Sequence, residues 1–373
     1  MTEDRLRNMF GQYAQADVAV PPAELVVARG RQRRRRARLG ITAAALALAL
    51  TAALGARQLV HLDRGGPVPK PAASPVLPPP GSGRLLLGLD AMDRLVMTRA
   101  GSKATPTVVP GLTPLAGQPS LLAANPGGGW VVTFTTEPGA PYGSQDARLA
   151  LVSASGKSQP FGPVFRLYSV TGLAVSPDGR RVAVALAGPT PAASGIEVLP
   201  MPGHRGTIRN WHPRRGDTGE FVSLSWAPDG RRLSYIAGFE SGGGLAGAVR
   251  TLDTSAPGSA APSVNDLSPA LGRQCRPDAV AWLGTTGRLD ALEECGNPVT
   301  GRGREILVPV NPGTGMAAGP ARTLASSLGC AEPWLASSRN GSAVLIGYCA
   351  TFLIDHGRLS QVHGGLVAAA FAG

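Results

Sequence analysis

Residues 173–184 read LAVSPDGRRVAV, and residues 224–235, which begin 51 positions later, read LSWAPDGRRLSY. In both stretches apolar residues alternate with other residues on either side of a Pro-Asp-Gly turn, a pattern typical of a β-hairpin with one buried face. Proline fixes φ at the second turn position, aspartate bonds to the backbone ahead of it, and glycine accepts a positive φ. The shared sequence therefore predicts two equivalent hairpins.

The hairpin belongs to a longer internal repeat. Weaker copies occur at Leu122–Thr133, Val280–Ala291 and Leu335–Ile346, so that successive turns lie about 51 to 56 residues apart. This spacing is the length of one four-stranded propeller blade with its loops. Five such blades fit between about residue 119 and residue 364.

The two ends of the repeat region predict how the ring closes. Three strand-like runs remain in front of the five blades, at 84–90, 94–100 and 105–109, and one remains behind them, at 366–371. Joined together they make a sixth blade, in which the C-terminal strand closes the ring and removes free sheet edges. We therefore predict an all-β fold, a six-bladed β-propeller that forms one domain over residues 83–373.

The turns of the two best copies suggest both a structural and a chemical role. Their central residues are Pro177, Asp178, Gly179, Pro228, Asp229 and Gly230. The two aspartates could act as catalytic acids or Ca²⁺ ligands. The turn itself requires an aspartate, however, so we expect a structural role. The paired arginines after each turn are expected at a solvated strand start.

The repeat resembles the PD40/TolB-type, WD40-like propeller repeats, whose signature is a hydrophobic strand, Ser-Pro-Asp-Gly and a second hydrophobic strand. Residues 176–179 match this signature fully, and residues 227–230, Ala-Pro-Asp-Gly, match it nearly so. The resemblance implies the propeller fold and a protein- or ligand-binding role. The N-terminal domain of TolB itself has no counterpart in this chain.

All four cysteines lie in the repeat region, which suits an oxidising compartment. Cys275 and Cys330 each lie five residues before equivalent positions of the repeat, and Cys295 and Cys349 fall near the end of the second hairpin strand. Since the start of one antiparallel strand lies beside the end of its partner, we predict the pairs Cys275–Cys295 and Cys330–Cys349. Metal binding by these thiols is not expected, because no CxxC pair or nearby histidine set accompanies them.

Upstream of the repeats lies an uncharged segment of 18 residues, 39–56, flanked by Arg38 and Arg57. At ~1.5 Å per residue it just spans a bilayer core, so we predict a transmembrane helix. Seven arginines between positions 29 and 38 place the N-terminus in the cytoplasm and the propeller outside the cell. Residues 57–82 are proline-rich and form a spacer. The alternative is a cleaved or twin-arginine export signal, which also exports the propeller.

Residues 1–38 form a basic tail with two possible roles. Leu6, Met9, Phe10 and Tyr13 make one apolar stripe at helical spacing. The stripe either rests on the membrane surface or docks a cytoplasmic protein partner, a layout that resembles single-span, anti-sigma-like regulators. Beside a membrane span, lipid headgroups explain the arginine run better than nucleic acid does. Only three of the 36 basic residues are lysine, which indicates a high-GC bacterial genome.

The sequence contains no recognisable catalytic constellation. It lacks G-x-S-x-G, Walker A and H-E-x-x-H motifs, so we predict no catalytic, metal-binding or cofactor-binding residues and no cofactor. His204 and His212, with Trp211, could line a loop on one face. The expected function is a membrane-anchored, extracytoplasmic and non-enzymatic module that binds a protein or cell-envelope ligand. A transmembrane sensor or regulator is the alternative, and a propeller hydrolase is a third.

Overall fold

The structure is a computed structural model. It describes residues 84–90, 94–99, 105–109, 117–136, 146–213, 217–241, 244–256, 265–267, 275–283, 287–297, 302–312, 316–327, 334–338, 343–347, 351–355, 358–362, 366 and 368–371. The predicted tail, membrane span and linker lie outside these residues. Within the described part of the chain, no helix is both long enough and apolar enough to cross a bilayer.

The first three strands of the chain belong to one blade, and the next eight strands make two complete blades. Blade 1 contains β1 (Leu85–Leu89), β2 (Leu95–Arg99) and β3 (Thr107–Val108). Blade 2 contains β4 (Gln118–Ala124), β5 (Trp130–Thr135), β6 (Ala147–Val152) and β7 (Ser158–Phe165). Blade 3 contains β8 (Ser169–Val175), β9 (Arg181–Ala187), β10 (Gly195–Pro200) and β11 (Arg209–Trp211), with a 3₁₀ turn at Pro191–Ala193.

The remaining strands form three more blades and then return to the first. Blade 4 contains β12 (Asp217–Trp226), β13 (Arg232–Ser241), β14 (Gly244–Asp253) and β15 (Asn265–Leu267). Blade 5 contains β16 (Cys275–Leu283), β17 (Arg288–Asn297), β18 (Arg302–Val310) and β19 (Arg322–Ser327). Blade 6 contains β20 (Trp334–Ser337), β21 (Ala343–Gly347), β22 (Thr351–Asp355) and β23 (Arg358–Val362), and β24 (Ala368–Phe371) completes blade 1.

The ring closes between the two ends of the repeat region. Strand β24 pairs antiparallel with β1, with Leu86 opposite Phe371. The Trp130 indole N–H of blade 2 donates a buried hydrogen bond of 3.2 Å to the Ala370 carbonyl oxygen. The predicted six-bladed propeller, closed by its C-terminal strand, is therefore confirmed.

The core of the molecule lies between neighbouring blades. Ile196 of blade 3 packs in one cluster with Trp226 and Leu233 of blade 4, and Ile236 of blade 4 packs with Trp282 of blade 5. All five side chains are at most 6% exposed. Because burial of apolar surface is the main favourable term in folding, contacts between blades hold the ring together.

The Pro-Asp-Gly turns join the first two strands of blades 3 and 4. Gly179 and Gly230 have φ of +70° and +66°, the left-handed region that glycine adopts without strain. The Gly179 N–H donates to the Ser176 carbonyl oxygen over 2.8 Å, and the Gly230 N–H donates to the Ala227 carbonyl oxygen over 2.9 Å. These bonds fix the tight hairpins that the repeated sequence predicts.

The two arginines of each turn have different surroundings. Arg180 and Arg231 are exposed, whereas Arg181 lies 4.8 Å from the centre of the Trp226 ring in the next blade. Arg232 lies 5.1 Å from the Trp282 ring in the same way. Arg232 is nevertheless exposed, as expected. Arg181 is only partly exposed, so the expectation of a solvated side chain holds less well for Arg181.

The disulfide prediction is confirmed for the first pair. Cys275 lies directly opposite Cys295 in the β16–β17 ladder, and a disulfide joins them with a Cα–Cα distance of 4.0 Å. Cys330 and Cys349 lie outside the described residues. The bridge links the inner strand of blade 5 to its neighbour.

Candidate functional site

A cleft of about 730 Å³ opens at one end of blade 3. The β8–β9 turn and the loop between β10 and β11 form its sides. Both connections lie at the same end of the blade because its strands follow one another in sequence across the sheet. The Met201 N–H donates to the Arg180 carbonyl oxygen over 2.9 Å and ties the loop to the turn.

Positive charge dominates the lining of this cleft. Four arginines reach it: Arg180, Arg181, Arg205 and Arg209. His204 also lines the cleft, and Asp178 is the carboxylate among its lining residues. Like charges gathered on concave low-dielectric walls raise the local potential and concentrate ions of the opposite sign. The cleft is therefore suited to an anion.

The Asp178 carboxylate is hydrogen-bonded within the β8–β9 turn. It accepts a hydrogen bond of 2.6 Å from the Ser176 hydroxyl and one of 3.1 Å from the Arg180 N–H. Burial alone would raise the pKa of Asp178, but these hydrogen bonds and the charges of Arg181 and Arg180 together lower it. An ionised carboxylate that is already hydrogen-bonded is a poor general base, and it only partly offsets the arginines.

Two of the four arginines connect blade 3 to blade 4. Arg181 donates to the Gly230 carbonyl oxygen and to the Thr254 hydroxyl over 3.4 Å. Arg209 donates to the Thr254 carbonyl oxygen over 2.7 Å. Their guanidinium groups therefore hold fixed positions at the boundary between blades.

The other two arginines are available to a ligand. Arg180 and Arg205 are both exposed, and within the part of the chain that the structure describes their guanidinium groups make no hydrogen bond or ion pair. A guanidinium presents several N–H donors in a planar fork that matches carboxylate and phosphate oxygens. Bidentate binding of such a group is the chemistry that this cleft offers.

The structure separates the aromatic and histidine residues that the sequence placed together. His204 lines the cleft, but Trp211 is buried in the cluster between blades 3 and 4. His212 lies beside Glu197, where burial raises the pKa of the Glu197 carboxyl and His212 opposes that rise. His204 therefore lies at the cleft, whereas Trp211 and His212 lie away from it, at the end of β11.

The cleft is not indicated by any motif of the sequence. Its exposed arginines, Arg180 and Arg205, are 25 positions apart and share no motif. They converge because two connections of one blade lie at the same end. The available signal was the strand order of the repeat, combined with arginine at both connections.

The comparisons with known proteins identify no family for this chain. No protein-family model matches the chain, and no curated protein matches it. Several solved structures are similar. Hydrazine synthase of Kuenenia stuttgartiensis has 15% identity and a TM-score of 0.41, and the match covers 72% of each chain.

Two peptidase structures are also similar. A prolyl endopeptidase has 14% identity and a TM-score of 0.45 over 75% of this chain, which spans about half (48%) of that protein's length. The propeller domain of the Trilobed protease of Pyrococcus furiosus has 11% identity and a TM-score of 0.39, covering 65% of this chain and 70% of that one. At these values the similarity concerns the propeller architecture alone, which the strand order already establishes.

Proposed function

We propose that this protein is a membrane-anchored, extracytoplasmic propeller that binds an anionic ligand of the cell envelope and does not catalyse a reaction. The observation that carries the proposal is a pair of exposed guanidinium groups, those of Arg180 and Arg205, in a cleft lined by four arginines. Neither group is paired with another of the described residues. Their chemistry selects a ligand that carries phosphate or carboxylate groups. The hydrogen-bonded state of Asp178 supports binding over catalysis.

The proposed membrane anchor and the proposed location of the propeller outside the cell are inferred from the sequence. The uncharged segment 39–56 and the arginines before it supply the membrane span and its orientation. The disulfide between Cys275 and Cys295 supports an oxidising compartment. The arginine-rich composition fits a high-GC bacterium. In this arrangement the proline-rich spacer holds the cleft away from the lipid surface.

Calorimetric titration of the full-length chain in a neutral detergent tests the binding proposal. Polyphosphate and poly-L-glutamate serve as anionic probes, and neutral dextran serves as the uncharged control. The double variant Arg180→Gln/Arg205→Gln should lose ~10-fold or more in affinity, because each charge-assisted hydrogen bond contributes about 1.5–3 kcal/mol. Equal affinities of the wild type and this variant would refute the proposal.

A matched control keeps the change in net charge constant. Arg148 and Arg166 are exposed arginines elsewhere on the propeller, so Arg148→Gln/Arg166→Gln removes the same charge without touching the cleft. This variant should bind the probes as the wild type does. A loss as large as that of the cleft variant would show that net charge, and not the cleft, determines binding.

A transmembrane regulator remains the alternative function, since the apolar stripe of Leu6, Met9, Phe10 and Tyr13 is suited to docking a cytoplasmic protein. In that case the propeller senses a ligand outside the cell, and the tail transmits the signal to the cytoplasmic protein. A pull-down with residues 1–38 distinguishes the two functions. A specific partner that survives high salt favours the regulator, whereas retention by anionic lipid alone favours a simple anchor.

A further inference from the structure

Blade 5 carries an acidic cluster on the face opposite its disulfide. Glu294 of β17 lies directly opposite Arg276 of β16 and directly opposite Glu305 of β18. Asp278 is the extra residue where the β16–β17 register shifts between Pro277 and Ala279. The start of β16, the end of β17 and the start of β18 therefore bring three carboxylates from three neighbouring strands to one end of the blade.

These carboxylates are close enough to share one ion. One oxygen each from Asp278, Glu294 and Glu305 can be chosen so that all three lie within 4.8 Å of one another. Oxygen ligands of Ca²⁺ lie at about 2.3–2.6 Å from the ion, so two ligands on opposite sides of it are about 5 Å apart. The observed spacing fits a common ion without a rearrangement of the strands.

The three carboxylates differ in how far they are exposed to solvent. Glu305 is 2% exposed, and its buried Oε2 has no hydrogen-bond partner among the residues that the structure describes. The Asp278 side chain is 8% exposed and the Glu294 side chain is 42% exposed. Thus an unpartnered oxygen lies at the bottom of the cluster, and the Glu294 side leaves a path for an ion and its water ligands.

Charge within the cluster does not balance. The Arg276 guanidinium lies 2.8 Å from Asp278 and 3.8 Å from Glu294. Three carboxylates face one guanidinium at this place, so ionisation of all three leaves an excess of two negative charges. A buried carboxylate without a hydrogen bond is costly, by about 1–3 kcal/mol or more.

We propose that Asp278, Glu294 and Glu305 bind one divalent cation of the calcium class. All three ligands are hard oxygen donors, and their irregular arrangement around a β-bulge suits the flexible coordination of Ca²⁺ better than the strict octahedron of Mg²⁺. The ion supplies the two missing positive charges and gives Glu305 Oε2 its partner. Arg276, whose side chain is 54% exposed, turns outward to solvent when the ion enters.

Binding at this place links β16, β17 and β18. The disulfide joins β16 to β17 on the other face of the same sheet. The cation adds β18 on the face that packs against blade 6, where Leu292 and Leu307 lie in one buried cluster with Val344. The expected result is a calcium-dependent gain in the stability of blade 5.

The test uses the full-length chain in neutral detergent, stripped with EDTA and titrated with CaCl₂ up to about 10 mM, above the weakest affinities typical of extracellular calcium modules. The wild type should bind one Ca²⁺ and raise its Tm by roughly 3 °C at ten times the Kd. Glu305→Gln should weaken binding at least ~10-fold, since it removes a charged ligand. Glu197→Gln, which alters a half-buried strand glutamate of blade 3, should bind as the wild type does.

Two further measurements keep the test decisive. In EDTA, Glu305→Gln should be at least as stable as the wild type, because the variant keeps the shape of the side chain and removes a buried carboxylate whose Oε2 has no hydrogen bond among the described residues. Arg276→Gln should be destabilised in EDTA and rescued by Ca²⁺, since the ion replaces the guanidinium. No binding by the wild type, equal binding by Glu305→Gln, or no rescue of Arg276→Gln would each overturn the proposal.

Discussion

The Arg181 guanidinium of blade 3 lies 4.8 Å from the centre of the Trp226 ring on the inner strand of blade 4. The same relationship recurs one blade later, where Arg232 lies 5.1 Å from the Trp282 ring. In both copies of Pro-Asp-Gly-Arg-Arg the second arginine reaches the next blade and the first faces solvent. The repeated motif is thus both a turn and a contact between blades.

Loss of the Arg181 contact should destabilise the propeller. Arg181→Gln removes the cation–π interaction with Trp226 and a donor to Gly230 and Thr254. We expect a fall of about 1–3 kcal/mol in the free energy of unfolding, measured by denaturant titration. Arg180→Gln, the exposed neighbour, should change it by less than about 0.5 kcal/mol. Equal effects of the two substitutions would contradict the inter-blade role.

The turn aspartates should make stability depend on pH. Burial opposes ionisation of Asp178, but hydrogen bonds and arginine charges lower its pKa below the ordinary value of 3.8. A lowered carboxyl pKa contributes stability above the unfolded value and loses it as the pH falls through the folded value. Asp178→Asn should therefore be less stable than the wild type at pH 7, and the gap should narrow toward pH ~3.

Unfolding titrations at several pH values check this expectation. Asp229→Asn should show the same sign, because hydrogen bonds from the Arg232 and Arg231 N–H groups and the Arg232 side chain lower the pKa of Asp229 against its burial. A stability gap that stays constant from pH 7 to pH ~3 would mean that the aspartates act by shape alone.

The last strand should be needed for a closed ring. Phe371 is 2% exposed on β24, beneath the Arg84 guanidinium at 5.8 Å. Phe371→Ala should lower the free energy of unfolding by about 3–5 kcal/mol, the usual effect of removing a buried aromatic ring. Val164→Ala, at a position that is 38% exposed, should have little effect. A small change from Phe371→Ala would show that closure contributes little to stability.

The disulfide should stabilise blade 5 in addition to the hydrogen bonds of its strand ladder. It closes a segment with a sequence separation of 20 residues, which predicts about 3 kcal/mol. Cys275→Ala/Cys295→Ala should lower the free energy of unfolding by that order, as measured by guanidinium denaturation. An unchanged midpoint would indicate that the strand ladder alone holds Cys275 beside Cys295.

The ring architecture was predictable because one hairpin sequence recurs at nearly constant spacing. The equivalence of Val280 and Leu335 in that repeat also placed Cys275 beside Cys295. The same register implies that Arg276 faces Glu294, so part of the acidic cluster was within reach of the sequence. Glu305 was not, since its position depends on the next hairpin, and Asp278 joins the cluster through a β-bulge that no local pattern marks.

The arginine-lined cleft could not be predicted from the sequence, for a different reason. Arg180 and Arg205 come together through the closeness of two connections, and which arginines face the next blade depends on strand direction and on Trp226 as a partner. A run of charged residues in a turn predicts solvent exposure in general. The position of each guanidinium requires the assembled neighbouring blade.

Cysteine labelling of the cleft in intact cells tests both the export of the propeller and its binding of anions. Thr207 is exposed and lines the cleft, and Ala192 is exposed at the opposite end of the same blade. Thr207→Cys and Ala192→Cys, each in the full-length chain, should both react with a membrane-impermeant maleimide before lysis. Polyphosphate should slow labelling of Thr207→Cys only. Reaction of both variants only after lysis, or equal rates with and without the polyanion, would contradict the proposal of an exported, anion-binding cleft.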